Sequence, residues 1–94
     1  MDETKENELI QLLGSKGTRR MLQYLSEQGK AQYKDLNLCI SVSTLNKRLS
    51  KLLEFGIIEH HFRRDLTRQE WYEITEKGRK ILKCLEVMVR LFGE

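Results

Sequence analysis

Proline is missing from the 94 residues, and the chain holds one tryptophan, two histidines and two cysteines. Each scarcity rules something out. Cys39 and Cys84 are too few for a disulfide scaffold and fit a reducing compartment as small buried apolar side chains. His60 and His61 are neighbours on an expected strand, so their side chains point to opposite faces and cannot share one metal ion. One of them is expected to pack on the domain and the other to face solvent. Neither H-x-x-x-H nor C-x-x-C spacing occurs, and no metal site is expected. No apolar run approaches the roughly 18 residues of a membrane helix. Residues 1–6 are acidic rather than basic-then-apolar, so no export signal is expected and the cytoplasm is the expected location. A glycine-rich phosphate loop, a Ser/His/Asp or Cys/His arrangement and a paired carboxylate are all lacking, which argues against an enzyme and gives no sign of a cofactor.

Hydrophobic residues make up 39% of the chain and charged residues 33%. That balance suits a single folded domain over residues 1–94. So short a chain buries a modest core, and a second copy could cover the apolar surface left over. The net charge of +3 is unevenly spread: residues 1–14 hold one lysine and four acids, and the rest holds 16 basic and 10 acidic residues. A basic body suits a polyanionic partner.

Apolar spacing orders the elements. Leu9, Ile10, Leu12 and Leu13 share one side of a short helix over 7–14. Met21, Leu22 and Leu25 form the buried stripe of a second helix over about 18–28, stopped by Gly29. Tyr33 and Leu36 mark a short third helix, followed by a tight connection over 37–41. Ser41 is the natural N-cap of a fourth helix, its hydroxyl accepting a free backbone N–H. Leu45, Leu49, Leu52 and Leu53 line the inner face of that helix, and Gly56 closes it. At about 100° per residue, the opposite side carries Ser43, Thr44, Lys47, Ser50 and Lys51, with Asn46 and Arg48 on its flanks. The period then changes to 2: residues 57–62 and 69–74 read as antiparallel strands around a basic loop, 63–68. Tyr72 and Ile74 should face inward and Trp71 outward. Thr75 caps a last helix whose apolar positions form two stripes, Ile81, Leu85, Met88 and Phe92 beside Cys84, Val87 and Leu91. One stripe satisfies the domain. The other is left for a contact.

Helix, short helix, tight turn, capped helix and hairpin with a basic tip is the order of a helix-turn-helix followed by a wing. The fold class expected is α+β, mainly α: a winged helix-turn-helix core over about 9–75 and a C-terminal dimerisation helix over about 76–92. The major groove of DNA, about 12 Å wide, admits one such helix. Ser43, Thr44 and Asn46 could meet base edges, while Lys47, Arg48 and Lys51 reach phosphates or a guanine edge; phosphates hold position and bases choose sequence. Arg63, Arg64 and Arg68 at the hairpin tip would follow the backbone or enter the minor groove. Leu9, Leu13, Leu85, Met88, Val89 and Phe92 are the expected dimer interface. A winged helix serving protein contacts in a larger assembly is the alternative; it would more often carry apolar or acidic residues over 43–51.

The segments Leu13-Gly14-Ser15-Lys16, Ile40-Ser41-Val42-Ser43-Thr44-Leu45-Asn46-Lys47-Arg48-Leu49 and Tyr72-Glu73-Ile74-Thr75-Glu76-Lys77-Gly78 resemble winged-helix regulators of the HxlR type, within a wider MarR and ArsR-like group. The resemblance covers about residues 9–85. It implies a dimeric regulator that binds double-stranded DNA at a near-palindromic operator, with Lys16 and Lys34 as phosphate contacts, 43–51 as recognition helix and 63–68 as wing tip. Gly17 and Val42 stand where the family often has Trp and Pro. Some members sense oxidants through a cysteine near the N-terminus, whereas this chain has none before Cys39. No polar cluster marks a pocket for a small-molecule effector.

Overall fold

Leucines from every helix close on one core in the computed structural model, which describes residues 1–93. The elements run α1 (Glu3–Leu13), α2 (Lys16–Gln28), α3 (Tyr33–Leu36), α4 (Val42–Glu54), β1 (Ile58–Arg64), β2 (Arg68–Ile74) and α5 (Glu76–Gly93). Met21, Leu22 and Leu25 of α2, Leu36 of α3, and Leu45, Leu49 and Leu52 of α4 are buried, together with Ile57, Ile58, Ile74 and Leu82. Full burial of one such side chain contributes about 1.5–3 kcal/mol. These stripes hold α4 by one face and leave the other free. The architecture is the winged helix-turn-helix that the element order predicts.

Local chemistry moves several boundaries. The Asp2 carboxylate accepts from the Lys5 backbone N–H at 2.8 Å, so α1 starts at Glu3 rather than near residue 7. Within α1, Leu12 is buried and Leu9 and Leu13 pack on the core, but Ile10 is 67% exposed. Leu9, Leu12 and Leu13 follow the three- and four-residue helical spacing, whereas Ile10 falls off that stripe. Ser41 occupies the N-cap position of α4, but its hydroxyl contacts Ser43 Oγ and Thr44 Oγ1, each at 3.2 Å, rather than a backbone N–H. Leu53 lies at the edge of the buried stripe and is partly exposed.

The hairpin is longer than expected. Its register runs from Ile58 opposite Ile74 to Arg64 opposite Arg68, which confines the turn to residues 65–67. Ala31 adds a bridge: its N–H donates to Tyr72 O at 3.0 Å and its carbonyl accepts from Tyr72 N at 2.7 Å. The link between α2 and α3 is thereby tied to the wing. His60 packs against Tyr72 and His61 stacks on Trp71, on opposite faces as expected. Both imidazoles are nevertheless similarly exposed, because the projecting hairpin covers neither face. Trp71 is half-buried, with Lys30 over its ring and its indole N–H donating to Glu73 at 2.7 Å.

Two glycines shape the exit from α4 and the return of the chain. Gly56 has φ 69°, the left-handed conformation that ends α4 and turns the chain into β1. Gly78 lies flat against the hairpin base, where a Cβ would run into the Ile57 carbonyl and come within 2.7 Å of Ile74 Cγ1. Thr75 organises the same junction. Its hydroxyl donates toward the Gly56 and Ile57 carbonyls and accepts from the Gly78 N–H at 3.0 Å, capping α5 as expected.

Candidate nucleic-acid interface

The free face of α4 begins with Ser43, Asn46 and Lys47, all exposed, and half-buried Thr44. Asn46 does not hang loose: its Oδ1 accepts from the Tyr33 hydroxyl of α3 at 2.8 Å. Lys16 at the start of α2 and Lys34 in α3 are exposed on the two elements that flank α4. Among the described residues, Lys16, Lys34, Lys47 and Arg64 take part in no ion pair.

Two cations placed on this face by helical spacing are engaged elsewhere. Arg48 turns back toward α2, where Nη1 donates to Ser15 Oγ and, at 2.7 Å, to Thr18 Oγ1. Thr18 is fully buried, so this guanidinium satisfies an interior hydroxyl and joins α4 to α2. Arg48, expected on the flank of the outward face, here directs its guanidinium toward α2. Lys51 meets Glu8 of α1 at 3.2 Å and Glu54 at 3.3 Å, and Lys5 pairs with the same two carboxylates. The side-chain hydrogen bonds from Lys5 and Lys51 hold the Glu54 carboxyl below its ordinary pKa, and the lysines are raised in return. Helical spacing within 41–55 could reveal Glu54 but not Glu8, which arrives from a separate helix.

The wing carries its arginines on paired strands rather than on a loop. Arg63 lies 3.7 Å from Asp65, Arg68 lies 2.9 Å from Glu70, and Arg64 extends without such a partner. All three are exposed, so these surface pairs contribute little to stability. Leu66 stands fully exposed at the turn, an apolar tip among the basic residues.

The other surface of note lies on α5. Leu82 is buried and Ile81 and Leu85 are half-buried, whereas Met88 is 55% and Phe92 91% exposed. Val87, Val89 and Leu91 are exposed as well, so the polar line of this end reduces to Lys83, Glu86 and Arg90. Leu13 of α1 joins Ile81, Cys84, Leu85 and Met88 in a groove beside it. Cys84 is exposed in that groove, not buried as expected, and Cys39 is half-buried, with burial pushing its thiol pKa up. No helix among the described residues is long and apolar enough to cross a membrane.

A helix with a free polar face, a short helix before it and a cationic hairpin after it define the winged helix-turn-helix class. The chain belongs to the HxlR-like helix-turn-helix family, whose model matches residues 12–94. It is therefore a transcriptional regulator of the winged-helix type. Among solved structures, it is similar to the reduced form of the transcriptional regulator YodB from Bacillus subtilis. That match has 24% identity and a TM-score of 0.77 over 96% of this chain and 90% of the other. The redox regulator HypR in its oxidized form matches with 19% identity and a TM-score of 0.74, over 90% of each chain. A MarR-family transcriptional regulator from Silicibacter pomeroyi matches with 24% identity and a TM-score of 0.70, over 93% of this chain and 62% of the other. At these identities the likeness shows the fold alone. No curated protein sequence matches the chain.

Proposed function

We propose that the protein is a homodimer that binds double-stranded DNA at a near-palindromic operator, with α4 in the major groove. The observation that carries this reading is the outer face of α4, where Ser43, Asn46 and Lys47 stay exposed while Leu45, Leu49 and Leu52 anchor the opposite side. Lys47, Lys16, Lys34 and the wing arginines Arg63, Arg64 and Arg68 supply phosphate contacts; Ser43, Thr44 and Asn46 supply base contacts. Arg48 acts on the groove indirectly, by fixing α4 against α2. Lys51 exchanges its carboxylate partners for phosphate when DNA arrives.

The dimer half of the reading rests on α5. The radius of gyration is 13.9 Å, above the value of about 12 Å for a compact chain of this length, and the apolar end of α5 is uncovered. A second copy packing Leu85, Met88, Val89 and Phe92 against the same residues and against Leu9 and Leu13 would cover it. Two-fold symmetry then sets two recognition helices about 34 Å apart, one DNA turn. The partner is DNA, and the act is binding rather than catalysis.

Selection from random duplex DNA, followed by a salt titration, tests the reading. With four of these seven cations on phosphates in each subunit, the slope of log K against log salt is near −7 for the dimer. Lys47→Ala should weaken every duplex alike and reduce that slope by about two, one contact per subunit. A binding constant indifferent to salt, or no enriched duplex, removes the proposal.

A further inference from the structure

Tyr33 belongs to the helix before the turn, and nothing in the sequence pattern assigns it a part in recognition. Its hydroxyl nevertheless spans the turn and donates to Asn46 Oδ1 at 2.8 Å, joining two exposed residues of neighbouring helices. A side-chain amide has two different ends, an acceptor oxygen and a donor NH2. The bond turns Oδ1 toward the phenol and sets the amide rotation, so that, although the oxygen keeps a second lone pair, Nδ2 is the end presented away from Tyr33. The base edges of the major groove differ in this respect. Asparagine pairs with adenine through both ends at once, oxygen to N6–H and nitrogen to N7. Guanine offers two adjacent acceptors, N7 and O6, and needs donors only.

We propose that Tyr33 is a positioning residue for sequence choice: by holding Asn46 Oδ1 it turns Asn46 into a donor-only reader that selects guanine over adenine. The inference rests on the DNA-binding reading and adds a chemical identity to one base of the operator. It also separates two roles on the same face. Lys47 contributes affinity to any duplex, whereas the Tyr33–Asn46 pair contributes only choice.

The test is selection from random duplexes with the full chain and three variants. Asn46→Ala identifies the base pair that Asn46 reads, as the position at which enrichment flattens. Guanine is expected there in the unaltered protein. Tyr33→Phe removes only the hydroxyl, returns Oδ1 to the groove and should shift the preference at that one pair toward adenine by about tenfold. The slope against salt should stay the same, because no phosphate contact is lost. Asn46→Asp keeps an acceptor for Tyr33 but offers no donor, so guanine enrichment at the pair should vanish. A merely structural role for Tyr33 would lower the melting temperature and the affinity for all sequences without changing which base is chosen. Adenine at that pair in the unaltered protein, an unchanged preference in Tyr33→Phe, guanine retained in Asn46→Asp, or no position flattened by Asn46→Ala each overturns the inference while leaving DNA binding intact. If the unaltered protein enriches no duplex at all, the DNA-binding reading falls and takes the inference with it.

Discussion

Arg48 shows how one side chain can look like a ligand contact and serve as a strut. Its position on α4 puts it at the edge of the outward face, yet its guanidinium binds the hydroxyls of Ser15 and Thr18. Thr18 has no exposure, so removing its donor partner leaves a buried hydroxyl with one hydrogen bond fewer. Arg48→Ala should therefore destabilise the fold by about 1–3 kcal/mol. For a chain of this size, each kcal/mol is a fall of about 4–8 °C in melting temperature, which calorimetry resolves. The slope of DNA affinity against salt should not change, in contrast to Lys47→Ala. A lower slope with an unaltered melting temperature would return Arg48 to the phosphate contacts.

At the scale of elements, the junction of α4, the hairpin and α5 decides how α4 and the wing are aimed. Gly56 turns the chain out of α4, Thr75 ties the turn to the start of α5, and Gly78 allows α5 to lie against the Ile57 carbonyl. The collision that a methyl group at 78 would make is with backbone, which cannot rotate away as a side chain can. Gly78→Ala should cost about 1–3 kcal/mol or more. It should also displace α5 from the hairpin base, read as lost hydrogen-exchange protection over 57–58 and 74–82. A variant with unaltered melting temperature and protection would show that the junction has slack.

The whole molecule carries an apolar end that none of the other described residues covers. Met88 at 55% and Phe92 at 91% exposure belong to a helix whose first turns are docked and whose last turns project. Surfaces of this kind mark contacts, and a two-fold partner is the simplest occupant. Met88→Glu should place like charges across the proposed two-fold interface and dissociate the proposed dimer, seen as a halved mass in sedimentation. The melting temperature of the unaltered protein should rise with concentration, and that of the variant should not. Operator affinity should fall with the loss of the second half-site, while weak salt-dependent binding by the monomer persists. A monomeric mass for the unaltered protein would instead leave α5 for another partner.

Legibility followed the range of the interactions concerned. Periodic leucines sort residues into inside and outside within one helix, so the stripes of α2 and α4, the change to period 2, the Thr75 cap and the free face of Ser43, Asn46 and Lys47 could all be read along the chain. The same local rule could not show the partners of Arg48 and Lys51, because Ser15, Thr18 and Glu8 lie 30 or more residues away in sequence. The Ala31–Tyr72 bridge and the Tyr33–Asn46 bond are likewise contacts between separate elements. Helical and strand periods report which side of an element is buried. Which polar group meets which depends on how the elements pack, and that only the tertiary structure decided.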